Sequence, residues 1–355
     1  MNVLVTGNLG YVGPGVVGQL RASHAAARIC GLDAGYFAGC LLNPDACPDV
    51  QVEQILADVR DLQERQLAGF TGVVHLAGIS NDPIGNAFGD ITAQVNHEAT
   101  VALAAKAKRS GVRSFVFASS CSVYGFAEDG ARTEQSTVNP LTAYAKSKLA
   151  AEGGLAELAD RNFTVTCLRF ATACGMSPRL RLDLVLNDFV ASAVQDREIR
   201  ILSDGSPWRP LIDVRDMARA IDWAVARPDE AGGPFLAVNA GSDAWNYQVK
   251  DLAAAVAELI PGTSIRINKD AQPDKRSYKV SFELFRRLAP HHQPSVSLEQ
   301  SIADLASGLE LAGANRPEFQ RERFIRLKTL VGLVAEGRLR RDLTWSRPFS
   351  AAAVA

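Results

Sequence analysis

The chain reads as an α/β protein, a doubly wound parallel sheet followed by a smaller C-terminal domain. Three observations carry this reading. Short apolar runs alternate with amphipathic stretches up to about residue 170, the pattern of strands and crossover helices in a parallel sheet. Gly7, Gly10 and Gly13 are spaced as Gly-x-x-Gly-x-x-Gly between the first apolar run and the first helix-like stretch. Asp33 closes the second run, twenty residues beyond Gly13. Together they describe a Rossmann-like dinucleotide-binding half, in which ligands lie beyond the carboxyl ends of the strands where the strand order switches.

The elements follow in order. Asn2-Val3-Leu4-Val5-Thr6 is bounded by glycine and reads as a buried strand. Gly7 lets the chain turn, Gly10 lets backbone approach a pyrophosphate, and Gly13 lets the next helix pack on the sheet. That helix, near 12–22, offers free N–H groups to phosphates, which makes Tyr11 and Val12 cofactor-contacting positions. The second strand, 28–33, ends in Asp33, which suits the two adenine-ribose hydroxyls and favours NAD over NADP. Further strands are expected near 53–57, 72–77, 113–119 and 163–169, and helices near 62–68, 91–110 and 143–161. The NAD-binding domain therefore spans 1–170 and is completed by about 213–240, with a strand near 235–239. Residues 171–212 and 241–310 are expected to form the substrate-binding domain. From 311 onward a basic helical extension carries nine Lys/Arg against four Asp/Glu. Its apolar stripe, Phe324, Leu327, Val331 and Val334, predicts a docked helix with a solvated basic face.

The chemistry centres on Ser119-Ser120-Cys121-Ser122-Val123-Tyr124-Gly125 and on Tyr144-Ala145-Lys146-Ser147-Lys148. Tyr144 and Lys148 are one helical turn apart, on one face. A neighbouring ammonium favours phenolate, so Tyr144 becomes a base for an alcohol near neutral pH. Ser120 hydrogen-bonds the same substrate oxygen or relays its proton.

Glycine loop, Ser and Tyr-x-x-x-Lys together resemble the extended short-chain dehydrogenase/reductases, the NAD-dependent sugar epimerase/dehydratase family, over roughly residues 1–290. The resemblance implies that Asp58 and Val59 flank adenine, and that Leu76, Ala77 and Gly78, in His75-Leu76-Ala77-Gly78, pass under the cofactor. It implies that Asn96, which begins the matching stretch on the next helix, contacts the cofactor, that Ser120, Tyr144 and Lys148 are catalytic, and that Tyr144 and Lys148 also touch the cofactor. Arg209, in Asp204-Gly205-x-x-x-Arg209, and Arg276 would grip a nucleotide diphosphate. Val214-x-Asp216 belongs to the same signature. Thr172 is the nearest counterpart of a diphosphate-contacting Asn.

The remaining positions stay open. Ser80, Asn81 and Asp82 stand on the loop expected to face the sugar, and they either read its hydroxyls or form a capped turn. Arg179 and Arg181 either hold phosphates or a carboxylated sugar, or are solvated. Related 4,6-dehydratases carry an acid–base pair directly after the catalytic Ser/Thr. Cys121 and Ser122 stand there instead, with Ser122 on the substrate side and Cys121 either a small hydrophobe or a proton carrier. This favours an epimerase, at C4, acting through a keto sugar. The alternatives are a 4-keto-sugar reductase using NAD(P)H, a dehydratase, an oxidoreductase on a non-nucleotide alcohol, or a non-catalytic NAD sensor.

The 355-residue chain is 47% hydrophobic with a net charge of −1, which argues against nucleic-acid and membrane-surface partners. No apolar run reaches the ~18–20 residues of a membrane span. Six cysteines form no Cys-x-x-Cys pair and five histidines no metal spacing, so reduced thiols in the cytoplasm and no metal are expected. The expected partners are a nucleotide-diphosphate sugar and a second copy of the chain.

Overall fold

The structure is a computed structural model that describes residues 1–43, 52–127, 130–268, 270–271 and 276–347. Cys47, and Asp274 and Lys275 beside Arg276, lie outside the described residues.

Seven parallel strands form the central sheet, in the order 235–240, 164–170, 114–120, 72–75, 2–6, 28–33, 53–56. The order reverses between Asn2–Thr6 and Gly72–His75, so the crevice beyond their carboxyl ends is the switch point. Val3, Leu4, Val5, Val73 and Val74 are fully buried, as strands covered by helices on both faces require. Helices Gly13–Ser23 and Val214–Ala226 pack together on one face, while Ala99–Arg109 and Ala143–Leu158 cover the other. Phe235–Ala240 returns to the sheet edge beside Thr164–Phe170, as expected.

Beyond the sheet, Trp208–Asp213 pairs with Thr172–Cys174 and Asn246–Gln248, and Glu198–Ile201 pairs with Ser264–Ile267. Helices Val185–Asp196, Val249–Leu259 and Leu298–Leu311 back these small sheets.

Three local expectations change. The helix near 62–68 is a pair of 3₁₀ turns, Val59–Asp61 and Glu64–Leu67, stopped by Gly69 at φ +83°. The helix near 91–110 is broken: Gly89–Ala93 leads through a wider π-type turn at Gln94–Glu98 into Ala99–Arg109. The terminal helix is Arg326–Ala335, so Phe324 belongs to the turn before it and the phase shifts. Its buried face is Arg326, Leu330 and Leu333, while Val331 is 50% exposed.

Candidate active site

A cavity of about 790 Å³ opens at the switch point. Gly7, Gly10, Tyr11, Val12, Asp33, Asp58, Val59, Leu76, Ala77 and Gly78 line its sheet side. Ser80, Asn81, Ser120, Ser122, Tyr144, Lys148, Thr172, Arg209 and Arg276 line the rest.

The glycine loop is a cradle that side chains would fill. Gly7 has φ +75°, and a Cβ there would lie 2.6 Å from the Ala77 nitrogen. A Cβ on Gly13 would lie 2.3 Å from the Asn8 carbonyl oxygen, so Gly13 serves packing beneath the loop and does not line the cavity. Asp33 accepts N–H bonds from Gly35 at 2.7 Å and Leu9 at 3.0 Å. Burial pushes its carboxyl up, and those N–H groups with the charges of Arg179 and Arg326 pull against it. A carboxylate has about four acceptor positions, so Asp33 keeps capacity for a ribose diol. These features fit NAD. Tyr11 turns its ring away: its hydroxyl donates to the Gly175 carbonyl at 2.5 Å and accepts from Asn187.

Asn96 is a correction. It is fully buried, outside the cavity lining, and clamps Ile79 by accepting from its N–H at 2.7 Å and donating to its carbonyl at 2.8 Å. The π-type turn aims it at the loop that walls the cleft, so it positions that loop and does not face a ligand.

The helix that carries Tyr144 and Lys148 is capped by Thr142, whose hydroxyl accepts from the Ala145 N–H and donates to Asp82 at 2.6 Å. Ser120 is the last residue of its strand and accepts from the Ser122 N–H. Lys148 donates to the Ala118 carbonyl at 2.7 Å and lies 4.5 Å over the Phe117 ring and 5.8 Å from the Tyr144 ring centre. Burial pulls Lys148 down to about 8. The same burial pushes the Tyr144 phenol above its ordinary value, and a hydrogen bond to Ser120 and the charge of Arg181 pull it back. The expected lowering of Tyr144 by Lys148 is therefore not the leading influence, because the cost of burying a phenolate outweighs what the groups around it return.

Asn81 sits at φ +94°, caps the turn Asp82–Ala87 through Ile84 and donates to Asp183 at 2.8 Å. The capped turn and the cavity-facing position thus coexist. Ser80 accepts from Arg181, which also pairs with Asp183 at 2.9 Å. Neither Arg181 nor Arg179 is solvated: both are buried, and Arg179 does not line the cavity. The Arg179 carbonyl instead accepts from Arg326, and its Nε finds no partner among the described residues. Arg276 is 49% exposed and pairs with Asp82 at 2.9 Å across the cleft, while Arg209 donates to the Trp208 carbonyl. Ser122 Oγ is buried at the cavity wall and has no partner among the described residues. Cys121 points away, 3.0 Å from the Arg169 carbonyl, and burial pushes its thiol far up, so it packs as a hydrophobe.

Sequence reading missed Tyr36, Phe37, Asp183, Tyr278 and Arg326, all of which line the cavity. Only Arg326 left a signal: a cation four and seven residues before Leu330 and Leu333, on the apolar face.

The chain belongs to the NAD dependent epimerase/dehydratase family, whose model matches residues 3–241. It is an enzyme fold of the nucleotide-sugar epimerases and dehydratases that use NAD. A dTDP-glucose 4,6-dehydratase of Streptomyces griseus is 29% identical over 315 residues, 85% of this chain and 92% of that protein. A UDP-glucose 4-epimerase of Mycolicibacterium smegmatis is 31% identical over 249 residues, 66% of this chain and 74% of that protein. Among solved structures, MoeE5 in complex with UDP-glucuronic acid and NAD superposes with a TM-score of 0.75 at 26% identity, covering 88% of this chain and 100% of MoeE5. No helix among the described residues is long and apolar enough to cross a membrane.

Proposed function

We propose that the protein is an NAD-dependent nucleotide-sugar epimerase that inverts C4 through a keto intermediate. The observation that carries this is the company Ser120, Tyr144 and Lys148 keep. They share one cavity with the glycine loop and with Arg209 and Arg276, and among the described residues nothing beside Ser120 resembles an elimination pair. Cys121 faces away, and Ser122 is a hydroxyl. The acids nearest the catalytic residues are already engaged: Asp82 by Arg276 and Thr142, Asp183 by Arg181 and Asn81. A 6-hydroxyl elimination needs both a proton donor and a base at C5/C6.

NAD, when bound, supplies the hydride acceptor and a positive charge in the same cleft. Tyr144 takes the proton of the sugar 4-hydroxyl as the C4 hydride leaves, and returns it when hydride comes back to the opposite face. The net redox change is zero. Ser120 holds the oxygen beside Tyr144. Lys148 holds the nicotinamide ribose with its ammonium. Arg209 and Arg276 hold the diphosphate, Thr172 lies beside it, and Ser80, Asn81 and Ser122 read the sugar.

The test is incubation with UDP-, GDP-, CDP- and dTDP-sugars, with products read by NMR and NADH by absorbance. An inverted sugar with no net NADH is expected. A 4-keto-6-deoxy product would make it a dehydratase, and stoichiometric NADH consumption a keto reductase. Cytoplasmic residence and a homodimer belong to the same proposal. The buried, unpaired thiols of Cys30, Cys40, Cys167 and Cys174 support the first, and light scattering in solution reads the second.

A further inference from the structure

Arg326 is the largest of the fully buried side chains, 1% exposed, and it comes from the C-terminal extension. It lines the cavity together with Gly10, Tyr11, Val12, Asp33 and Phe37. Its guanidinium lies 4.6 Å from the Phe37 ring centre, and Nη2 donates to the Arg179 carbonyl at 2.8 Å. Nη1 has no hydrogen-bond partner among the described residues. A buried charged donor left unmatched is costly, and native structures rarely keep one without a reason.

Positive charge outnumbers negative there. Arg179, Arg181 and Arg326 gather beside the loop 177–183; of the two acids in reach, Asp183 is taken up by Arg181 and Asn81, and Asp33 accepts from the Leu9 and Gly35 N–H groups and feels Arg179 and Arg326 only through space. Arg326 also feels Cys40, Arg181, Asp183 and Tyr11, and with the Phe37 ring this sets it between the glycine loop and the loop 177–183. Gly10, Tyr11 and Val12, which lead into helix Gly13–Ser23, line the same cavity, and the positive end of that helix's dipole lies behind them. A guanidinium offers a planar fork that matches a phosphate.

We infer that Arg326 binds the diphosphate of the dinucleotide from the side opposite the glycine loop, making the C-terminal extension part of the cofactor site. The rest of the extension has the matching task at the adenosine end. The Tyr36 hydroxyl donates to the Leu343 carbonyl at 2.5 Å, the Trp345 indole to the Ala34 carbonyl at 2.6 Å, and Arg60 to the Asp342 carbonyl at 2.9 Å. Ala34, Tyr36 and Asp58 are cavity walls, so residues 342–345 tie those walls to the segment that carries Arg326. The inference rests on NAD occupying the cavity and is independent of the sugar chemistry.

The test uses full-length protein stripped of nucleotide, with Arg326→Met and Arg326→Lys. Calorimetry measures NAD, ADP-ribose, adenosine and UDP, and thermal unfolding checks the fold. Arg326→Met should weaken NAD and ADP-ribose by about 30-fold or more, the low end of what loss of a buried charge partner costs. Arg326→Lys should recover part of that, and adenosine and UDP should be unchanged in both. NAD affinity within about threefold of wild type overturns the inference. So does an equal loss for adenosine, which marks a collapsed site, or a loss confined to UDP. If Arg326→Met does not fold, Arg326→Lys decides: undiminished ADP-ribose affinity rejects the diphosphate fork. Wild-type protein that binds no NAD would overturn the cofactor assignment itself and this inference with it.

Discussion

Arg169 grips Glu152, a buried residue of the helix that carries Tyr144 and Lys148, with three hydrogen bonds, the shortest 2.6 Å from Nη2 to Oε2. Ser119 donates to the same carboxylate at 2.5 Å, and Tyr124 meets the guanidinium at 3.1 Å. The strand that ends in Ser120 and the helix that presents Tyr144 are thus tied by one buried network. Removing one charge would leave the other stranded out of water. Glu152→Ala should cost about 3–5 kcal/mol of stability, and the pair Glu152→Leu with Arg169→Met much less. Denaturant melts of the two variants measure this, and an equal loss in both would contradict it.

Tyr144→Phe keeps the ring and removes the proton acceptor. Turnover should fall by about 10²–10⁴, the usual worth of general acid–base catalysis, with NAD affinity near wild type. Steady-state kinetics beside an NAD titration checks both. Undiminished turnover would remove Tyr144 from the mechanism.

The pH dependence of cofactor binding should follow Lys148. Burial lowers it to about 8 from an ordinary 10.5, so its ammonium is present below pH 8 and lost as pH rises through it. NAD affinity should weaken across that range in wild type and be lower and flat in Lys148→Met. Stability runs the other way between pH 8 and 10.5, because there the unfolded side chain still holds a proton that the folded one has released. An NAD affinity that does not change from pH 7 to 10 would exclude the assignment.

His75 is fully buried between Thr6 and Thr100, and burial lowers it to about 3 from an ordinary 6.5. Above pH 6.5 both folded and unfolded forms are neutral, and the full stability is present. As pH falls toward 3 the unfolded form takes up a proton that the folded form refuses, so about 1.4 kcal/mol should be lost per pH unit from this group. His75→Gln should flatten that part of the stability–pH curve. An unaltered slope in the variant would assign the acid limb to other groups.

Arg209→Ala tests the substrate class. If Arg209 meets a diphosphate, the KM for a sugar nucleotide should rise by a factor corresponding to about 2–5 kcal/mol, while NAD affinity holds. The penalty should shrink for the sugar-1-phosphate, which lacks the second phosphate, and Arg209→Lys should restore only part. Equal penalties for both substrates would make Arg209 structural.

Much of this molecule could be read from neighbours in the chain. Gly7, Gly13, Asp33, Tyr144 and Lys148 were legible because each answers a local demand: a turn with positive φ, a helix pressed on a strand, a carboxylate at a strand end, two groups one helical turn apart. The alternation of strand and helix likewise encoded the sheet and its switch point. What tertiary structure decided are the encounters between distant segments. Asp82 meets Arg276 across 194 residues, and Arg326 reaches the loop after the second strand and the carbonyl of Arg179. A basic helix near a C-terminus reads as solvated because, in isolation, a guanidinium belongs in water. Only when the helix docks with Arg326 facing inward, over Phe37 and beside the glycine loop, does the charge enter the cavity; the stripe Phe324, Leu327, Val331 and Val334 pointed to a neighbouring face, and docking chose the one with Arg326, Leu330 and Leu333.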